Sequence, residues 1–227
     1  MTLRTFKTLQ VDAVWVRRIA ALTEHSWDRP GLEETMVRYG WARPGPDGRP
    51  AVEWGGGAGG PHHVDGPAAD EGGGIGWRLE LGDPPGEGSG ETFVRLPCAL
   101  YWPAFGDEAD EPDEADGPDE ADGEEEVDGD EEVDGEEDDL DDDYGPAWIR
   151  QPDATRADLH AEYDRLGRLI RTELGAPDES GSGDLDERWE KWNRKAGRVV
   201  LELTDDINSY SHYDVIALRV ELIPGQH

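Results

Sequence analysis

RVVLELTDDINSYSHYDVIALRVELIP, residues 198–224, is the stretch on which the fold turns. Val199, Leu201 and Leu203 alternate with other residues, and so do Ile216, Leu218, Val220 and Leu222. A period of two with apolar side chains on one side marks a strand that buries one face. Residues 204–213 between them are polar, with Asp205, Asp206, Asn208 and Tyr210, and read as a loop. Upstream, Trp189 and Trp192 lie in a segment read as a further strand, preceded by a Gly/Ser linker at 178–184. Before that linker, Leu159, Tyr163, Leu166, Ile170 and Leu174 recur at steps of 4, 3, 4 and 4, the apolar stripe of one long helix. Thr155 followed by Asp158 makes a capping pair at its start, and Gly175 with Pro177 ends it.

Toward the N-terminus the first forty residues read as two helices. Val11, Val14, Trp15, Ile19 and Leu22 fall near helical spacing, with Arg17 and Arg18 on the other side. Pro30, Glu33 and Glu34 announce a second helix with Leu32, Met36 and Val37 as its apolar side and Gly40 as its stop. Residues 42–74 are loop-like, with only Val52 to Trp54 resembling a strand. Ile75, Trp77, Leu79 and Leu81 alternate, Phe93 to Leu96 follow, and the two predict antiparallel neighbours joined by the loop 82–91. The expectation is an α+β domain: an antiparallel sheet with helices on one face. Its halves are 1–106 and 144–227, split by residues 107–143.

That insert dominates the charge. The 227 residues hold 21 Lys and Arg against 55 Asp and Glu, a net charge of −34. Residues 107–143 hold 25 of the acids and no base, so the rest balances 30 acids against 21 bases, or −9. The insert repeats DEADGP, DEADGE, EEVDGD and EEVDGE from residues 113, 119, 125 and 131. A β-helix coil would need a large inward apolar residue in each repeat, and these offer only Ala or Val. With such charge density and no aromatics, the run is expected to be a disordered loop expansion. Binding to nucleic acid or to an anionic membrane is disfavoured for want of clustered positive charge. No apolar run approaches the ~18–20 residues of a spanning helix. The opening MTLRTFKTLQVDAVWVRRI has no signal-peptide pattern, so the expected location is cytoplasmic. A single cysteine, Cys98, excludes an internal disulfide and a Cys-based metal cluster.

Chemistry-bearing motifs are sparse. Asp205 and Asp206, at a strand end, are the carboxylates best placed for acid–base or metal work, although ordinary loop solubility and turn chemistry explain them better. His25, His62, His63, His160, His212 and His227 form no HExxH pair. Gly55, Gly57 and Gly60 spell GxGxxG, but Pro61, His62 and His63 follow where a phosphate-binding helix should begin. Asp130, Glu132, Asp134, Gly135 and Asp141 approach a calcium loop without its final Glu or flanking helices. Cys98, just past a strand, reads as a buried structural thiol. Catalytic residues, metal ligands and cofactors are therefore expected to be absent. Nine tryptophans are mostly explained by core filling. Trp102 and Trp148 bracket the acidic insert beside Tyr101, Phe105 and Tyr144, and these five are the candidate partner-binding residues.

Three blocks, SWDRPGLEETMVRYGW (26–41), YDRLGRLIRTELGAP (163–177) and the W-x-x-W at 189–192 with 198–224, together resemble a group of small, Trp-rich, uncharacterised actinobacterial proteins. The resemblance implies an immunity-like or adaptor-like protein found beside secreted toxins, with no family catalytic residue to carry over. The expected function is thus a non-enzymatic protein-binding domain, an immunity-like inhibitor of a toxin or other basic partner. The alternatives are a chaperone-like adaptor for a secreted protein, or a hydrolase using carboxylates near Asp205.

Overall fold

The computed structural model describes residues 5–24, 27–50, 52, 54, 62–65, 78–85, 91–102, 147–184, 186–205 and 213–222. The acidic insert, Phe105, Tyr144, Asp206, the glycines of the GxGxxG string, Ile75 and Trp77 lie outside these residues. The fold is α+β. Nine antiparallel strands form one sheet: β1 (Thr5–Leu9), β2 (His62–Asp65), β3 (Arg78–Leu81), β4 (Phe93–Trp102), β5 (Trp148–Gln151), β6 (Glu179–Ser182), β7 (Arg188–Asn193), β8 (Gly197–Asp205) and β9 (Asp214–Leu222). Among the described residues three α-helices accompany it, α1 (Ala13–Ala20), α2 (Arg29–Arg38) and α3 (Arg156–Leu174).

The main path runs β2-β3-β4-β9-β8-β7-β6, and β4 is its hub. Its first part pairs with β3 at Val94 and Arg95, and its last part pairs with β1 from Ala99 to Trp102. Pro97 falls between the two partners, where the register against β9 shifts. A proline cannot donate to a ladder and survives in a central strand at such an irregularity. The extra residue moves the apolar side along: Val94 and Leu96 face the main core before it, Ala99 and Tyr101 after it.

The sheet buries Val199, Leu201, Leu203, Ile216, Leu218 and Val220 on the helix side, as their alternation predicts. Leu159, Tyr163, Leu166 and Ile170 of α3 lie against them, all buried. Each aliphatic side chain sequestered there contributes roughly 1.5–3 kcal/mol relative to exposure. The start of α3 is fastened as the capping pair suggests: the Asp158 carboxylate accepts the Thr155 N–H at 2.7 Å and its hydroxyl at 2.8 Å. Those bonds hold the Asp158 carboxyl below the ordinary carboxylate range. At the far end Gly175 takes φ 86° and ψ −170°, a conformation open essentially only to glycine, and its carbonyl accepts the Trp192 indole N–H at 2.9 Å.

Four sequence expectations need correction. The N-terminus is not helix alone, because Thr5–Leu9 forms β1; its polar Lys7, only 3 % exposed, disguised the strand. Along α1, Val11, Ile19 and Leu22 are buried and Trp15 packs on the core as the spacing predicts, but Val14 is 41 % exposed and Val16 and Ala20 are buried in addition, so the apolar side is turned from Val14 toward Val16. The 178–184 linker contains β6, and the 42–74 loop region contains β2, which carries His62 and His63. Neither has an apolar alternation; both are edge strands held by backbone pairing to β7 and β3.

Candidate functional site

The face of the sheet opposite the helices holds the most organised polar surface among the described residues. Register generates it directly. One row crosses six strands as Glu80, Arg95, Arg219, Val200, Lys191 and Glu179. The row beside it runs Phe93, Glu221, Arg198 and Asn193, and on the other side run Pro97, Ala217, Glu202, Trp189 and Gly181. These are the residues between the apolar positions of VVLEL and IALRVEL. Their charged alternation is visible in the sequence and is the signal that apolar patterning passed over.

Arg95 and Arg219 stand directly opposite each other, and carboxylates answer both. Arg95 donates to Glu202 at 2.8 Å and Glu80 at 2.7 Å, with Thr204 Oγ1 at 3.4 Å. Arg219 donates through Nε to Glu221 at 2.8 Å and through Nη2 to Glu91 at 3.2 Å, and its guanidinium lies 5.3 Å from the Phe93 ring centre. Arg198 holds the other oxygen of Glu221. Burial alone would raise the Glu221 carboxyl, but the hydrogen bonds and charges of Arg219 and Arg198 outweigh it and hold the group below its ordinary value. Toward β6 the lattice ends in Trp189, with the Lys191 ammonium 4.4 Å from its ring centre. A shallow, open concavity of about 320 Å³ lies here, lined by Trp189, Lys191, Arg198, Glu202 and Arg219 among others. Fixed donors and acceptors on a flat sheet suit recognition of another charged surface.

The described members of the sequence-selected aromatics, Tyr101, Trp102 and Trp148, do not form one exposed surface. Tyr101 and Trp102, adjacent on β4, point to opposite sides of the sheet. Tyr101 is buried in the main core, edge-on to Phe6 at 6.2 Å. Trp102 is buried on the other face with Leu100, Val215 and Ala217, its ring 5.3 Å from Tyr213 and 5.9 Å from the Lys7 ammonium, and its indole N–H has no acceptor among the described residues. Trp148, partly buried, packs against both clusters. Phe105 and Tyr144 are outside the described residues.

Asp205 ends β8 opposite Asp214 of β9. Arg156, at the first turn of α3, bridges Asp214 at 2.9 Å and Asp186 at 3.0 Å, while His160 stands 3.9 Å from Asp186. Burial raises the Asp214 carboxyl, Arg156 opposes that rise and Asp205 adds to it. The arrangement clamps the start of α3 to the start of β9 and to the segment between β6 and β7. Cys98 is fully buried, donates to the Leu96 carbonyl at 3.3 Å and has its thiol pushed up by burial to about 12. Among the described residues, no group of three or more His, Cys, Asp and Glu side chains could hold a metal ion, and no helix is long and apolar enough to cross a membrane. Comparison with known proteins found no matching family model, curated protein or solved structure.

Proposed function

We propose that this chain is a non-enzymatic, cytoplasmic protein-binding domain, an immunity-like inhibitor that occludes a basic partner such as a toxin domain. The observation that supports it is the helix-free face, where Arg95, Arg198 and Arg219 are locked against Glu80, Glu91, Glu202 and Glu221 beside Trp189. Such a lattice is preorganised, so little side-chain entropy is lost when a partner docks. The net charge of −34 favours a basic partner and accelerates encounter with it. Against a hydrolase reading, Asp214 beside Asp205 is committed to the Arg156 ion pair.

The test is affinity purification of the tagged chain from its own host, beside a Trp189→Ala/Lys191→Glu variant shown to melt normally. The expected result is a stoichiometric basic protein with the wild type and its loss with the variant. Equal recovery by the variant would remove this face from the interface. No stoichiometric protein with the wild type would overturn the binding reading.

A further inference from the structure

One end of the sheet is open. Strand β6 pairs with β7 on one side and, among the described residues, with nothing on the other, and all four of its residues are exposed. The Gly183 N–H donates to the Glu187 carbonyl at 3.0 Å, in register with the pairs Gly181–Trp189 and Glu179–Lys191. An antiparallel strand turns its backbone groups to alternate sides. Residues 179, 181 and 183 therefore address β7, and the N–H and C=O groups of Ser180 and Ser182 point away from the sheet.

We propose that β6 accepts an extended basic segment of the partner as an added strand, an inference that rests on the protein-binding reading above. Main-chain bonds to Ser180 and Ser182 supply the pairing, and charge selects the occupant. Residues 178–187 contain Asp178, Glu179, Asp184, Asp186 and Glu187 and no base. Asp186 is paired with Arg156, but no described Arg, Lys or His pairs with Glu179, Asp184 or Glu187. A second copy is a poor occupant, because joining two β6 edges would set two such acidic segments against each other. A basic strand is a good one.

Two glycines shape the contact. The Trp189 ring lies so close over Gly181 that a Cβ there would come within 2.4 Å of it, and the Glu187 carboxylate lies equally close over Gly183. At Gly181 and Gly183 an added strand meets no intervening β6 side chain; on that face β6 presents only Glu179. The stem of a Lys or Arg opposite Gly181 packs on the indole, and one opposite Gly183 reaches the Glu187 carboxylate.

The probe is a capped peptide of alternating Lys and Val, added to the full chain at physiological salt, with amide exchange read residue by residue. Exchange at Ser180 and Ser182 should slow by roughly tenfold or more. The Glu/Val counterpart, and the Lys/Val peptide N-methylated along its backbone, should leave both amides unchanged. Ser182→Pro should abolish the effect, and Ser180→Ala/Ser182→Ala should preserve it. The N-methylated peptide keeps its charge, so the contrast stands even if the proline variant fails to fold. Unchanged exchange at Ser180 and Ser182 under the Lys/Val peptide overturns the inference. If the host partner then protects other residues, the protein-binding reading survives without this edge; if no host partner is found, both fall.

Discussion

Arg95 and Arg219, opposed across β4 and β9, would destabilise the sheet if each did not have its own carboxylates. Glu221 is the most connected of these, shared by Arg198 and Arg219 and nearly buried. Replacing it with Gln leaves two guanidiniums short of a charged acceptor and should cost about 1.5–3 kcal/mol in urea unfolding at neutral pH. The carboxyl is held below its ordinary 4.5, so its stabilisation is complete above that value and is lost as pH falls through the lower folded value. The gap between wild type and Glu221→Gln should therefore close in acid, and a gap of constant size from neutral to acidic pH would contradict the ion-pair assignment. Cys98 gives a second residue-scale expectation. A buried thiol pushed up to about 12 is not a nucleophile at neutral pH. A thiol reagent should leave the native protein unmodified and label it promptly in denaturant; stoichiometric native labelling would mean that the β4 bulge opens.

Helix α3 is the element on which the two halves of the sequence meet, since its buried stripe rests on strands from before and after the insert. Leu166→Ala or Ile170→Ala should cost ~2–5 kcal/mol, as large-to-small changes in filled cores do. A cost near zero would place the stripe in solvent. Its two glycines should respond oppositely to alanine. Gly167 is mid-helix, where an added Cβ comes no nearer than 3.5 Å to Glu190 Oε1, so Gly167→Ala should stabilise by about 0.5–1 kcal/mol. Gly175 meets nothing within 4 Å, yet its φ of 86° and ψ of −170° make Gly175→Ala cost about 1–3 kcal/mol by backbone strain alone. Thermal melts of the pair decide this, and equal shifts of one sign would refute the reading of how α3 ends.

At the scale of the whole molecule, the legible parts were those with strong periodicity. The stripe of α3 and the alternation in β8 and β9 named the helix-to-sheet contact of the main core, from Leu159 to Ile170 and from Val199 to Val220. Strand β1 was illegible because its core residues Phe6 and Leu9 stand three apart among Thr and Lys, without the period of two, and it is completed by a neighbour far away in the chain, as Lys7 beside Trp102 illustrates. Strand β6, ESGS, has no apolar residue at all and is specified by its pairing to β7, with Gly181 under Trp189. The candidate site was missed for a related reason: Arg95, Arg198, Arg219 and Glu221 acquire meaning only when register sets them side by side. Adjacency to the acidic insert drew the candidates instead to Tyr101 and Trp102, which a strand necessarily sends to opposite faces.

The repeats at 113–136 contribute charge and almost no apolar mass. Replacing 107–143 with a short Gly/Ser linker should change stability by ~1 kcal/mol or less, because loop-closure cost grows slowly with length. A fall in melting temperature beyond ~10 °C would assign the run to the fold. The insert should act on the approach of a basic partner, since its 25 acids attract over a distance that salt shortens to ~8 Å at physiological strength. On the proposed reading, the contacts that hold the complex belong to the folded face. The most direct measurement is the binding kinetics of the copurified partner at low and high salt, with wild type, the 107–143 replacement and Trp189→Ala/Lys191→Glu. The expected result is slower association at low salt but unchanged dissociation for the replacement, and faster dissociation at both salts for the face variant. Binding abolished by the replacement at high salt, with the face variant indistinguishable from wild type, would contradict the claim and make the acidic run itself the recognition element.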